Sequence, residues 1–345
     1  MLGEILAVAE GRPRARRNYR GGWLFVVLLA VSAAQAQTCQ SASDMDASVR
    51  TALETTAKRY FDMVARGDSA TLQRNSIATV AANFGGIETA VKDNQAAFTG
   101  AHAAVRPPFM LTVEGNGPLE NAEFLCGVFG KSGQTADSAV FMLHNLPPGK
   151  YGVAIIDAQG GQEPRTLTMI LQQVGTDWKL AGFYARPKQV NGHDGPWFAQ
   201  RARDFKAKGQ TRNAWLYYHE AIALSSPVDF MSTQATDKLY DEMQPVQPSD
   251  LPVNGSTVDV SAGAKTYRVT EVYPLAVGND LDVVVKYQAA DVSNTAQTYQ
   301  ENMIVTKAVV AKYPEFRDAF DSVIARAVDH SGHEYGSLLP VKDIK

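Results

Sequence analysis

At Pro107-Pro108 the hydrophobic period of this chain changes. Upstream, Val49, Leu53, Tyr60, Phe61 and Val64 recur at helical spacing, and Gly67 falls where a helix C-terminus favours glycine. Asp68-Ser69 can cap a second short helix, and 86–98 carries a third. The proline pair stops helical structure, since it removes two N–H donors and fixes φ. Downstream, apolar positions alternate, as at Phe124 and Cys126, and strand-like runs follow at 140–143, 153–156, 167–171 and 178–184. Pro147-Pro148-Gly149-Lys150 and Gly175-Thr176-Asp177 read as tight turns joining those strands. Helices followed by an antiparallel meander bury one helical stripe against one sheet face, which is the α+β class.

The first 36 residues read as a signal peptide. Arg12, Arg14, Arg16, Arg17 and Arg20 precede an apolar run at 23–31, and Ala34-Gln35-Ala36 supplies a small-x-small cleavage pattern, placing the cut between Ala36 and Gln37. As a helix that run spans ~14 Å, about half of a bilayer's hydrocarbon core, so a stable membrane span is not expected after the leader is removed. Arg16-Arg17-Asn18-Tyr19 leaves twin-arginine export open beside the general route. An oxidising compartment, secreted or periplasmic, would pair the only two cysteines, Cys39 and Cys126, as a disulfide. The alternative, a lipidated Cys39, lacks the Leu and small residues such a signal takes. With 33 basic against 36 acidic residues the chain has no field for neutralising phosphates, so no nucleic-acid partner is expected.

Tyr60-Phe61-Asp62, Gly67-Asp68 and the run from Trp178 to Tyr184, in that element order, resemble the NTF2-like (cystatin-like) domains over about residues 45–187, setting a first domain at 37–190. The resemblance implies helices packed on an antiparallel sheet as a cone, whose concave face forms an apolar pocket. His144, in phase with Val140 and Met142, is a binding candidate there, together with Trp178 and Tyr184. In 191–243, Ala202, Phe205, Gly209, Ala214, Tyr218, Ala221 and Leu224 are similar to one tetratricopeptide helical hairpin. One copy cannot build a superhelical groove, so the pair is expected to dock on its neighbours. Pro245, Pro248 and Pro252 mark 244–255 as a linker. The remainder, 256–345, reads as a small ββαα lobe. Its strands fall at 267–272 and 281–287, a helix carries Tyr299, Met303, Thr306, Val310 and Tyr313, and after Pro314 a second carries Phe316, Phe320, Val323 and Ala327, with a closing strand at 338–341.

Catalytic signals are sparse. His-Glu-x-x-His, Gly-x-Ser-x-Gly, a phosphate-binding loop and a dinucleotide glycine fingerprint are all absent from the sequence, and no cofactor is expected. His330 and His333, beside Asp329 and Glu334, are a weak metal candidate; the plainer reading is a polar turn after a C-terminal helix. Asp194 and Pro196 suit a helix start, which leaves His193-Asp194 as a cap rather than a catalytic pair. The sequence therefore points to an exported, non-enzymatic binding or structural protein whose partner is a small molecule or an envelope protein. The alternatives are a pocket enzyme of the NTF2-like type, moving a proton with one buried acid or His, and a cell-envelope assembly component.

Overall fold

Helix α1 (Ala47–Ala65) presents Leu53, Ala57, Tyr60, Phe61 and Val64 on one buried stripe. It ends at Gly67, whose φ of +68° is open to glycine at no steric cost. Asp68 caps the next helix, α2 (Ser69–Arg74), by accepting from the Thr71 N–H at 3.0 Å. Two more helices, α3 (Ala78–Ala82) and α4 (Gly85–Phe98), follow before the chain turns to strand at His102. The computed structural model describes residues 37–344 except 129–132, 162, 254 and 278–279, so the expected leader, with Ala36, lies outside the described residues. The fold is α+β, with largely antiparallel sheets.

The chain divides into two units: one runs to Arg186 and takes up Pro227–Gln234, and the other holds Pro187–Ser226 and Ala235–Lys345. The first unit is built on a six-stranded sheet. Its strands are β1 (Gln37–Gln40), β2 (His102–Val105), β3 (Phe109–Val113), β6 (Gly149–Gln159), β7 (Arg165–Val174) and β8 (Asp177–Pro187), ordered β1-β3-β6-β7-β8 with β2 also on β6. Strands β6 and β7 are continuously buried over 151–156 and 166–171, as a sheet covered on both faces requires. The helices fill one face, where Leu53, Phe61 and Val64 meet Ile156, Met169 and Leu171. The Tyr60 hydroxyl donates to the Trp178 carbonyl oxygen at 2.9 Å. A three-stranded sheet of β4 (Leu119–Cys126), β5 (Ala139–Leu146) and β11 (Met231–Thr233), ordered β11-β5-β4, fills the other face with Phe124, Phe141 and Leu143 against Leu111, Val153 and Ile155. Cys39 on β1 is disulfide-bonded to Cys126 on β4, with Cα atoms 5.1 Å apart, so one covalent bond joins the two sheets. Closing a loop of 87 residues is worth about 4–5 kcal/mol in the chain-entropy account.

The turn at Pro147-Pro148-Gly149-Lys150 does not make a hairpin as expected: β5 and β6, on either side of it, belong to different sheets. Asn145, at φ 51°, and Gly149, at φ 155°, redirect the chain from one layer to the next.

The second unit begins with the short pair β9 (Gln189–Val190) and β10 (His193–Asp194), then α5 (Gly195–Ala207) and α6 (Thr211–Ser225). Asp194 accepts from the Trp197 N–H at 3.0 Å and so caps α5. The two helices approach so closely that a Cβ on Gly195 would lie 2.3 Å from Ser225 Oγ and 3.0 Å from the Ala221 carbonyl. After α7 (Gln234–Met243), a five-stranded sheet runs β12 (Val258–Ala262), β13 (Lys265–Val277), β14 (Asp280–Gln288), β15 (Ser322–Val328) and β16 (Glu334–Pro340) in spatial order. Helix α8 (Thr295–Lys312) is the crossover that makes β14 and β15 parallel. Buried Asn302 on α8 accepts from Tyr287 Oη at 2.8 Å and donates to Ser337 Oγ at 2.9 Å and the Tyr335 carbonyl at 3.1 Å.

Two expectations change here. The ββαα reading of the C-terminal lobe is corrected: after one turn of 3₁₀ helix (Pro314–Asp318), Val323 and Ala327 lie on strand β15, not on a second helix. Their spacing of four is even, so it fits one face of a strand as well as one face of a helix. Segment 244–255 is no free linker either. Val246 and Leu251 are buried in the core that Phe205 and Tyr217 share with Val285 and Val309, so the helical pair and the C-terminal strands form one body. Arg212 on α6 donates to the Asp250 carboxylate at 2.6 Å and 3.0 Å, and the Tyr313 hydroxyl donates to the Asp250 carbonyl.

Two predictions follow from this packing. Gly152 on β6 lies against α1: a Cβ there would come within 2.2 Å of Leu53 Cδ2. Gly152→Ala should cost about 1–3 kcal/mol in urea unfolding, with Leu53→Ala in the same background relieving part of the loss. In the second unit, hydrogen bonds from Arg212 hold the Asp250 carboxyl below its ordinary range, those from Arg203 and Tyr218 lower Glu242, and those from Lys265 and Tyr267 lower Glu301. A depressed carboxyl stabilises the fold fully at neutral pH and loses that contribution as pH falls below about 5 towards the folded-state value. Calorimetry should therefore show a melting temperature falling from pH 6 to pH 3, and Arg212→Ala should lower stability by about 1 kcal/mol at pH 7 and by less at pH 3.

Candidate functional site

Strands β2 and β3 both pair with the same edge of β6: Val105 lies opposite Ile156, and Phe109 opposite Val153. The Arg106 N–H still reaches the Ile155 carbonyl at 2.8 Å, but Pro107 and Pro108 have no N–H to continue the ladder. The edge is thus interrupted between two otherwise consecutive strands. At this gap the first unit has a cavity of about 420 Å³.

Apolar atoms form much of its lining. Phe109 packs edge-on to Phe141 at 5.3 Å, Met231 pairs with Phe141 in register, and Ile155 contributes from β6. Polar groups come from four segments, and several are already engaged. Arg106 donates through Nε and Nη2 to the two oxygens of Asp157, both at 2.8 Å, and Thr166 donates to the same carboxylate at 3.1 Å. Ser41 Oγ donates to Asp44 Oδ2 at 2.5 Å and lies 2.8 Å from Ser43 Oγ. Ser138 Oγ donates to the Gly127 carbonyl and accepts from the Thr135 N–H at 2.8 Å. Arg106 is thus tied to Asp157, while Asp137 adds a carboxylate to the lining, so the cavity combines apolar area with hydroxyls and charged groups.

The residues singled out from sequence do not converge on this cavity or on one another. His144 lies on the outer face of the small sheet with Nδ1 2.8 Å from Asn121 Oδ1. Trp178 is buried in the core between helices and sheet. Tyr184 packs between the two sheets, its ring edge-on to Phe230 at 5.3 Å; its hydroxyl has no hydrogen-bond partner among the described residues, and burial raises its pKa. His330 and His333 sit in the turn between β15 and β16, not behind a helix, and His333 Nδ1 is 3.2 Å from Asp329 Oδ2. Among the described residues no three His, Cys, Asp or Glu side chains gather as a metal site. The sequence signal for the cavity was the proline pair, read only as a helix stop.

The second unit has two smaller, more polar depressions. One, of about 270 Å³, lies at the start of α8, where Glu301 accepts from Lys265 Nζ and Tyr267 Oη, each at 2.6 Å. The other, of about 250 Å³, includes His193 stacked on Trp197 with ring centroids 3.7 Å apart. Comparison with known proteins adds no relative: no protein family, curated protein or solved structure matches the chain.

Truncating Arg106 would remove two charge-assisted hydrogen bonds from the mostly buried Asp157 carboxylate, which also accepts from Thr166. Arg106→Ala is expected to cost about 1–3 kcal/mol in denaturant unfolding, and Asp157→Asn in the Arg106→Ala background to recover part of it.

Proposed function

We propose that this is an exported, non-enzymatic binding protein whose first unit, NTF2-like in its element order, takes a small, mainly apolar molecule into the cavity at the proline gap. One observation carries the reading: the cavity is lined by the apolar Phe109, Ile155 and Met231 together with the hydroxyls of Ser41, Ser43, Ser138 and Thr233 and the charged Arg106 and Asp137, a largely apolar lining with a few polar groups as small-molecule sites have. Export is supported by the arginine-rich leader with its Ala-Gln-Ala end and by the Cys39–Cys126 disulfide. No helix among the described residues is long and apolar enough to cross a membrane. Material recovered outside the cytoplasm should begin at Gln37 by mass spectrometry; an intact leader or an acylated Cys39 would refute this part.

Binding is tested with an apolar naphthylamine dye on the processed full-length protein. Ala42→Trp and Ala136→Trp, which add bulk at two lining positions, should each weaken dye binding by about tenfold or more, while Trp substitution at exposed Tyr240 in the other unit should not. Equal binding by all variants would place the dye elsewhere and remove the proposal's support.

An envelope-assembly role is the second reading, favoured by Leu125 and Met142, which are 53% and 50% exposed on the outer face of the small sheet. On that reading, Leu125→Glu with Met142→Glu abolishes a defined complex and leaves dye binding unchanged.

A further inference from the structure

Neither sulfur of the disulfide lines the cavity, yet both half-cystines lead directly into its walls. Ser41 to Ser43, one lining segment, begins two residues after Cys39, and the β1 ladder that carries Cys39 ends at Gln40 opposite Met110. On the other side Cys126 is the register partner of Ala139, the residue after the lining segment from Ala136 to Ser138. Ser138 Oγ also donates to the carbonyl of Gly127, next to Cys126, at 2.5 Å. These connections are too short to absorb a displacement. Without the S–S bond, the first segment would be held to the large sheet through a four-residue edge strand, and to the start of α1 through Arg50 Nη1 on the Ala42 carbonyl at 3.0 Å. The second would move with the small sheet.

We infer that the Cys39–Cys126 bond is a positioning element of the binding cavity, fixing the separation of two of its walls for a small apolar ligand. This rests on the cavity being the binding site. The chemistry of breaking the bond is set by burial. A thiolate of a dithiol reductant attacks Cys39 Sγ, the half-buried sulfur, and Cys126 leaves as a thiolate that takes up a proton. The reductant's second thiol then displaces Cys39, giving two protein thiols and one oxidised dithiol. Cys126 is fully buried among Phe124, Ala139 and Phe141, where a thiolate is poorly solvated, so reduction is slow and the walls stay fixed under mild thiol exposure.

The test compares processed full-length protein oxidised, reduced with excess dithiothreitol, and as the Cys39→Ala, Cys126→Ala variant. Amide hydrogen exchange needs no ligand. It should quicken by about tenfold or more at 37–45 and 134–139 in both bond-free forms, with α4 and β7 unchanged. Dye dissociation should quicken with it by about tenfold. No change at the two segments, or an equal rise throughout the first unit, would overturn the inference, the latter because the bond would then support the whole fold. Local exchange without any dye binding by the oxidised protein would instead sink the proposed ligand site and leave the wall-fixing role standing.

Discussion

Everything in the first unit depends on covering both faces of one sheet. Strands β6 and β7 carry apolar side chains on each side, so neither face can be left to water, and the chain supplies helices for one and a second small sheet for the other. The parity of the strand assigns the layers. Tyr151, Val153 and Ile155 face the small sheet, while Ala154, Ile156 and Ala158 face the helices. Gly152 is the point where α1 comes too near for any side chain. The disulfide acts on this arrangement from outside the hydrophobic core of the helices, tying the edge of the large sheet to the small one.

The second unit solves a similar problem with less sheet. Its helical pair, its crossover helix α8 and the segment between α7 and β12 all contribute to a single core. Buried polar groups are placed where they fix the geometry of that core. Asn302 satisfies Tyr287, Ser337 and the Tyr335 carbonyl together, so α8 can dock on the sheet in one register only. Arg212 does the same for the proline-rich stretch through Asp250.

Local signals in the sequence were legible where one period or one cap decided the outcome. The stripe on α1, Gly67, the Asp68 and Asp194 caps, the alternation at Phe124 and Cys126, and the pairing of the two cysteines could all be read from residue type and spacing. Signals failed where spacing was degenerate or where tertiary contacts decided. Val323 and Ala327 fit either period, and the composition of 244–255 gives no hint that Leu251 will be buried. Nor could spacing tell that β5 and β6, joined by a tight turn, lie in different layers. The candidate site was the least legible part, because its walls come from five separate stretches of chain and its cause is a pair of missing N–H groups.

Strand β11 is short, only Met231–Thr233, but it is supplied by chain that has already entered the second unit and returns to it at once. Neither unit is therefore a contiguous stretch of gene. A fragment cut at Arg186 would lose β11 and expose the full edge of β5, a template for adding strands from other molecules. Dissection of this protein by simple truncation would thus be expected to yield aggregates, and circular permutants that keep β11 beside β5 are the better route to isolating its parts.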